Sequence, residues 1–203
     1  MDEIGLFPLG LVLLPTEQVP LHIFEPRYRE LIGECLDAGE PFGLVFADDD
    51  GLRRVGTLAS VVEVTDRFDD GRLNVVVEGG ERFRLMEVTR GRSFHTGTIE
   101  TLGDREDPPP DDELERAVAV FMRLVELTGT TVEAPDVTSE QPSFALAARF
   151  ELAPELKLEL LEETSERVRL TRLREILEAA ADAVERQRAI GELAQSNGHA
   201  RPG

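Results

Sequence analysis

A chain of 203 residues with 41% hydrophobic content is long enough to bury a substantial core, as one large domain or two small ones. Its 41 acidic residues against 22 basic ones leave a formal charge of -19 at pH 7, which sets it against phosphate backbones and anionic membrane surfaces, so nucleic acid is not an expected partner. One cysteine, Cys35, excludes an internal disulfide and fits a reducing cytoplasm, MDEIGLF has acids where a secretory signal has a basic region, and no apolar segment reaches membrane-spanning length.

Residues 6–32, LFPLGLVLLPTEQVPLHIFEPRYRELI, form an apolar run broken by Pro8, Pro15, Pro20 and Pro26. Each proline removes a backbone donor and pushes the residue before it towards extended geometry, so the run divides into short extended pieces. Alternation places Leu21 and Ile23 on a core face and His22 and Phe24 on the other, which can line a surface groove. For His22 a buried hydrogen bond is the competing reading, and for Glu25, Arg27 and Arg29 a charge cluster that fixes strand to helix. Pro26 suits a first helical turn. Tyr28, Leu31, Ile32 and Cys35 then recur at helical spacing until Gly39-Glu40-Pro41, with Cys35 a small buried hydrophobe.

PFGLVFA, from Pro41, has strand length and ends in the turn cluster Asp48-Asp49-Asp50-Gly51. As a calcium loop this cluster fails, because Phe46 and Thr57 would fall where carboxylates are required. Residues 54–64, RVGTLASVVEV, and residues 73–77, LNVVV, flank Asp69-Asp70-Gly71, a hairpin signal. Gly79-Gly80 predicts another corner before a strand over 82–88, and a last strand falls within 93–102. About six strands in a hundred residues, with one short helix, favour a closed or strongly curved β unit.

The polar, proline-rich stretch GDREDPPPDDE, beginning at Gly103, predicts a joint between a β domain over 1–105 and a helical bundle over 106–195. Leu114, Ala117, Val118, Phe121, Leu124 and Val125 form one helical stripe, capped by Asp111 or Asp112 and stopped near Gly129. A short helix over 143–150 and a second opened by Pro154 follow. A longer helix from about Ser165 turns Val168, Leu173, Ile176, Leu177, Ala180 and Val184 inward, and residues 196–203 read as a disordered tail. Four helices make a small bundle. The fold class is therefore α+β.

Enzyme signatures are missing. A Walker loop needs Gly-Lys-Ser/Thr, yet the only lysine is Lys157, between Leu156 and Leu158, where it also has no serine for a proteolytic dyad. Gly91-Arg92-Ser93-Phe94-His95 lacks the final glycine of a nucleophile elbow. His22, His95 and His199 show no ligand spacing, so neither a metal nor another cofactor is expected.

The order LFPL, LLP and PLHIFEPRYRELI resembles the opening of the Lon amino-terminal domain family, the substrate-recognition part of an ATP-dependent protease. GTLASVVEV, DDGRLNVVVEGGERFRL and LKLELLEETSERVRLTRL continue the likeness in order, over about residues 4–180. The resemblance implies a PUA-like β pseudo-barrel ahead of the helical bundle. It also implies a non-catalytic module for unfolded or peptide-like protein clients, acting as adaptor, holdase or regulator, with a protease or other protein as a further partner. Peptide contact is then expected at Pro20, His22, Phe24, Glu25, Arg27 and Tyr28. The rival reading is a small-ligand or RNA reader, because PUA-like barrels in other families bind modified bases.

Overall fold

The computed structural model describes residues 2–89, 91–132 and 134–198, with side chains from residue 3 to residue 190. Among the described residues, six strands and five helices run in the order β1 (Asp2–Leu9), β2 (Gln18–Ile23), α1 (Pro26–Ala38), β3 (Phe42–Asp48), β4 (Gly51–Arg67), β5 (Leu73–Thr89), β6 (His95–Thr101), α2 (Asp111–Thr128), α3 (Pro142–Ala147), α4 (Pro154–Glu162) and α5 (Glu166–Gly198).

The sheet order is β2-β5-β4-β3-β1-β6, and an additional β5–β6 pairing closes β5, β4, β3, β1 and β6 into a ring. Leu6, Val45, Phe83, Leu85 and Ile99, drawn from four of its strands, fill a small separate core. Glycine makes that closure possible: a Cβ on Gly56 would lie 2.6 Å from the Phe83 ring, and one on Gly97 2.6 Å from Leu85.

The Gly79-Gly80 pair does not end a strand. β5 runs unbroken through it, pairing with β2 over 73–78 and with β6 over 83–89, so the predicted corner is a change of partner within one strand. Gly79 is required there because a Cβ would sit 2.1 Å from the Leu14 carbonyl oxygen. Below this point β2 and the adjoining ends of β4 and β5 form a wing. Its inner face, with Ile23, Leu73, Val75 and Val77, packs with Tyr28, Leu31 and Ile32 of α1.

The helices enclose a third core that also takes in Val12, Leu14, Phe46 and Val55 from the β part of the chain. Several expectations change here. Pro110, not Asp111 or Asp112, occupies the position before α2, because both aspartates lie in the first turn, where they complement the helix dipole. Val168 is 41% exposed and falls outside the predicted stripe of α5, while Leu173, Ile176, Leu177, Ala180 and Val184 do pack on the core and are joined there by Leu170 and Ala181. Residues 196–198 continue α5, which contradicts a tail beginning at 196; residues 199–203, with His199, lie outside the described residues.

Across the predicted joint, charged groups are buried together. The Arg169 guanidinium, fully buried, donates to Asp104 Oδ2 at 2.6 Å, Ser143 Oγ at 2.7 Å and the Glu163 carbonyl at 2.6 Å, and also to Glu166. Arg82 of β5 donates to the Leu161 and Glu163 carbonyls, both at 2.7 Å, and to Asp104. Burial pushes Asp104 up, but the hydrogen bond and charge of Arg169 and the charge of Arg82 outweigh it, leaving the carboxyl below its usual range. Lys157 of α4 reaches back to Glu17, whose second oxygen accepts from the Leu14 N–H at 2.9 Å.

Candidate functional site

Proline and alternation together decide what β2 presents. Val19, Leu21 and Ile23 turn inward, whereas Gln18, Pro20 and His22 are exposed on the outer face of the wing, followed by Phe24 at 59% exposure. Leu21 is only partly buried, so of the two predicted core residues Ile23 alone is fully enclosed. His22 is not the buried hydrogen-bonder of its rival reading. It stands on the surface, its Nδ1 2.6 Å from Asn74 Oδ1, while Asn74 Nδ2 donates to Asp66 Oδ2 at 2.9 Å. That chain across three strands fixes the imidazole plane.

Two phenyl rings border it. Phe24 stacks on His22 at a centroid separation of 5.9 Å, and Phe68 meets it edge-on at 6.0 Å. Phe68 is 39% exposed at the tip of the β4–β5 hairpin, where Gly71 takes φ 84° and the Phe68 N–H donates to the Arg72 carbonyl at 3.0 Å. The Arg72 guanidinium lies 5.0 Å from the Phe68 ring centre and pairs with Asp70 at 2.8 Å. Three rings thus share one exposed surface, held by a rigid sheet. Phe68, Asn74 and Arg72 were not among the residues expected there. The one signal for them is an aromatic in the otherwise polar turn RFDDGR.

The remaining expected residues separate. Glu25 occupies the position before α1 and Arg27 pairs with it at 2.8 Å, which places both at the strand-to-helix junction beside the rings. Tyr28 is 5% exposed and stacks on Phe7 at 4.0 Å, and burial raises its hydroxyl pKa. It belongs to the core and supports the surface from beneath, with Arg27 lying 4.5 Å over its ring. Cys35 is half-buried, and its thiol is pushed up to about 11 by that burial, which makes it a weak nucleophile.

A concavity of about 830 Å³ opens between the ring and the helices. Its wall includes Thr16, Arg82, Asp104, Gln141, Phe144 and Glu166. Ser143, Glu166 and Arg169 have the outline of a catalytic set, since Ser143 Oγ lies 2.8 Å from Glu166 Oε2. Their bonds give a different answer: Ser143 is 1% exposed, and Glu166 is taken up by the Ser143 N–H, the Ser143 hydroxyl and Arg169. Through Arg169 and Asp104 these groups connect to Arg82 of β5, so the cluster joins the helices to the ring. Among the described residues, no three His, Cys, Asp or Glu side chains are placed to hold a metal ion, and no helix is long and apolar enough to cross a membrane.

Residues 3–179 match the family model of the ATP-dependent protease La (LON) substrate-binding domain. The Lon protease of Paraburkholderia phytofirmans is 25% identical over 91% of this chain, and that of Parabacteroides distasonis 28% identical over 66%. The chain spans only 24% and 17% of those relatives' lengths. A Lon N-terminal domain protein from Xanthomonas campestris superposes with a TM-score of 0.66 at 26% identity, covering 85% of this chain and 97% of that one. The N-terminal domain of a Mycobacterium avium complex Lon protease shares the fold, with a TM-score of 0.63 at 15% identity over 87% and 98% of the two chains.

Proposed function

Because this chain belongs to the LON substrate-binding domain family, we propose that it is a non-catalytic, ATP-independent polypeptide-binding module of the bacterial cytoplasm. It takes unfolded or peptide-like clients on the outer face around Pro20, His22 and Phe24. The observation that carries this reading is the exposed trio of His22, Phe24 and Phe68 on a sheet whose opposite face packs against α1. Apolar rings held rigidly in water lose little order when a client covers them, so contact energy is retained as affinity. Glu25 and Arg27 form the polar border of the same surface, and a protease or another protein receives the client. The Ser143–Glu166–Arg169 cluster, which has the outline of a catalytic set, is enclosed and its groups are bonded to one another, so it lends catalysis no support.

The test is fluorescence anisotropy with an unfolded apolar-basic peptide, with and without ATP, followed by mass spectrometry of the peptide. Binding that ATP does not change, abolished by Phe24→Ser with Phe68→Ser and without cleavage, is the expected result. No peptide binding, together with tight binding of an RNA or a metabolite, would favour the small-ligand reading and move attention to the concavity beside Arg82. Peptide cleavage would make the protein an enzyme.

A further inference from the structure

We propose, building on the polypeptide-binding reading, that the client docks as an added β-strand along the free edge of β2. β2 ends the sheet order and pairs with β5 alone. Among the described residues, its own residues make no main-chain hydrogen bond outside that ladder. In an antiparallel pair, alternate residues turn their N–H and C=O groups away from the partner strand. Pro20 decides which residues these are. It stands opposite Val76 and has no N–H to donate to β5, so position 20 faces outward, and Gln18 and His22 face outward with it.

The edge therefore offers the N–H and C=O of Gln18 and of His22 and the C=O of Pro20, a ladder with one donor missing at its centre. Client side chains that alternate along such a strand fall on the same outer surface as His22 and Phe24. The occupant is a neutral or basic extended segment rather than a second copy of this chain. Two β2 strands paired about a two-fold axis would bring two prolines into the new ladder and two bodies of charge -19 together. A foreign segment meets only one proline and no repulsion.

Backbone pairing is tested with a fluorescent peptide of alternating valine and arginine, about seven residues long, and with the same peptide N-methylated at one residue at a time. Methylation keeps charge and side chains but removes one donor. Anisotropy at fixed ionic strength should show an alternating pattern, with methylation at every second residue weakening binding by about tenfold and at the intervening residues hardly at all. A uniform response would overturn strand addition and leave polypeptide binding intact; failure of the unmethylated peptide to bind would overturn both. Amide hydrogen exchange gives a second readout, because Gln18 and His22 should gain protection with peptide while Leu21 is already protected. Pro20→Ala restores the missing donor and should tighten binding about threefold to tenfold. Unchanged or weaker binding by that variant, folded by circular dichroism, would count against the proposal.

Discussion

His22 and Ile23 are adjacent in sequence and opposite in environment, because β geometry turns successive side chains to opposite faces. Ile23 is 1% exposed, so Ile23→Ala removes buried methyl groups and leaves a cavity, at a cost of about 2 to 5 kcal/mol. Leu21→Ala should cost less, since Leu21 still touches water, while His22→Ala and Phe24→Ala should shift a urea midpoint little and weaken peptide binding instead. Equal destabilisation at all four positions would remove this surface from consideration. The alternation was legible in residues 21–24 because it is local. The burial of Arg169 was not: in RVRLTRL every arginine looks solvated, and its partners Ser143 and Asp104 are 26 and 65 residues away. Tyr28 was legible from its helical spacing with Leu31 and Ile32 and is buried with them, whereas the peptide contact that the resemblance implied for it finds the ring stacked on Phe7.

At the scale of elements, β4 and β5 were legible as a hairpin from Asp69-Asp70-Gly71, but their 17-residue lengths were not. Glycine pairs usually stop strands, and here a close approach by Leu14 overrides that tendency. The joint before α2 was readable as polar and proline-rich, yet it is tied down. Asp107 accepts from Arg167 Nε at 2.9 Å and from Ser165 Oγ at 2.6 Å, which anchors the joint to the start of α5. The hydrogen bond from Arg167, then that from Ser165, lowers the Asp107 carboxyl from 3.8 to about 2. A folded-state pKa below the unfolded value contributes stability that is complete above about pH 4 and is lost as pH falls towards about 2. Asp107→Asn should therefore lower the urea midpoint near neutrality, and the gap from the parent should close across that acid window. A gap that persists unchanged below about pH 2 would show that Asp107 acts through something other than its charge.

The whole molecule combines one continuous helical core with the β part through Val12 and Leu14, so two stretches of polar chain have different fates. Residues 104–112 look open in sequence, but Asp104 and Asp107 are held by arginines. Residues 134–140 have only local turn bonds, such as the Thr138 N–H to Asp136 Oδ1 at 3.0 Å. Limited proteolysis should cut within 134–140 before 104–112, and the ring and helices should unfold in one transition. Early cutting at 104–112 that releases a folded β fragment would instead support the predicted boundary as a true domain border.

Charge acts at the same scale, and it separates how fast a client arrives from how long it stays. The surplus of -19 is spread over the chain, whereas beside the three rings Arg27 pairs with Glu25 and Arg72 with Asp70. A distant field steers approach and is screened over about 8 Å at physiological salt, while short paired contacts and apolar burial govern escape. A basic-apolar peptide should therefore associate more slowly as salt is raised, with a dissociation rate that hardly changes. An acidic peptide with the same apolar residues should associate faster under the same change. Stopped-flow anisotropy measures both rates directly. If salt instead accelerates dissociation of the basic peptide and leaves its association rate alone, the carboxylates touch the client, and the ring surface around His22 is not where it is held.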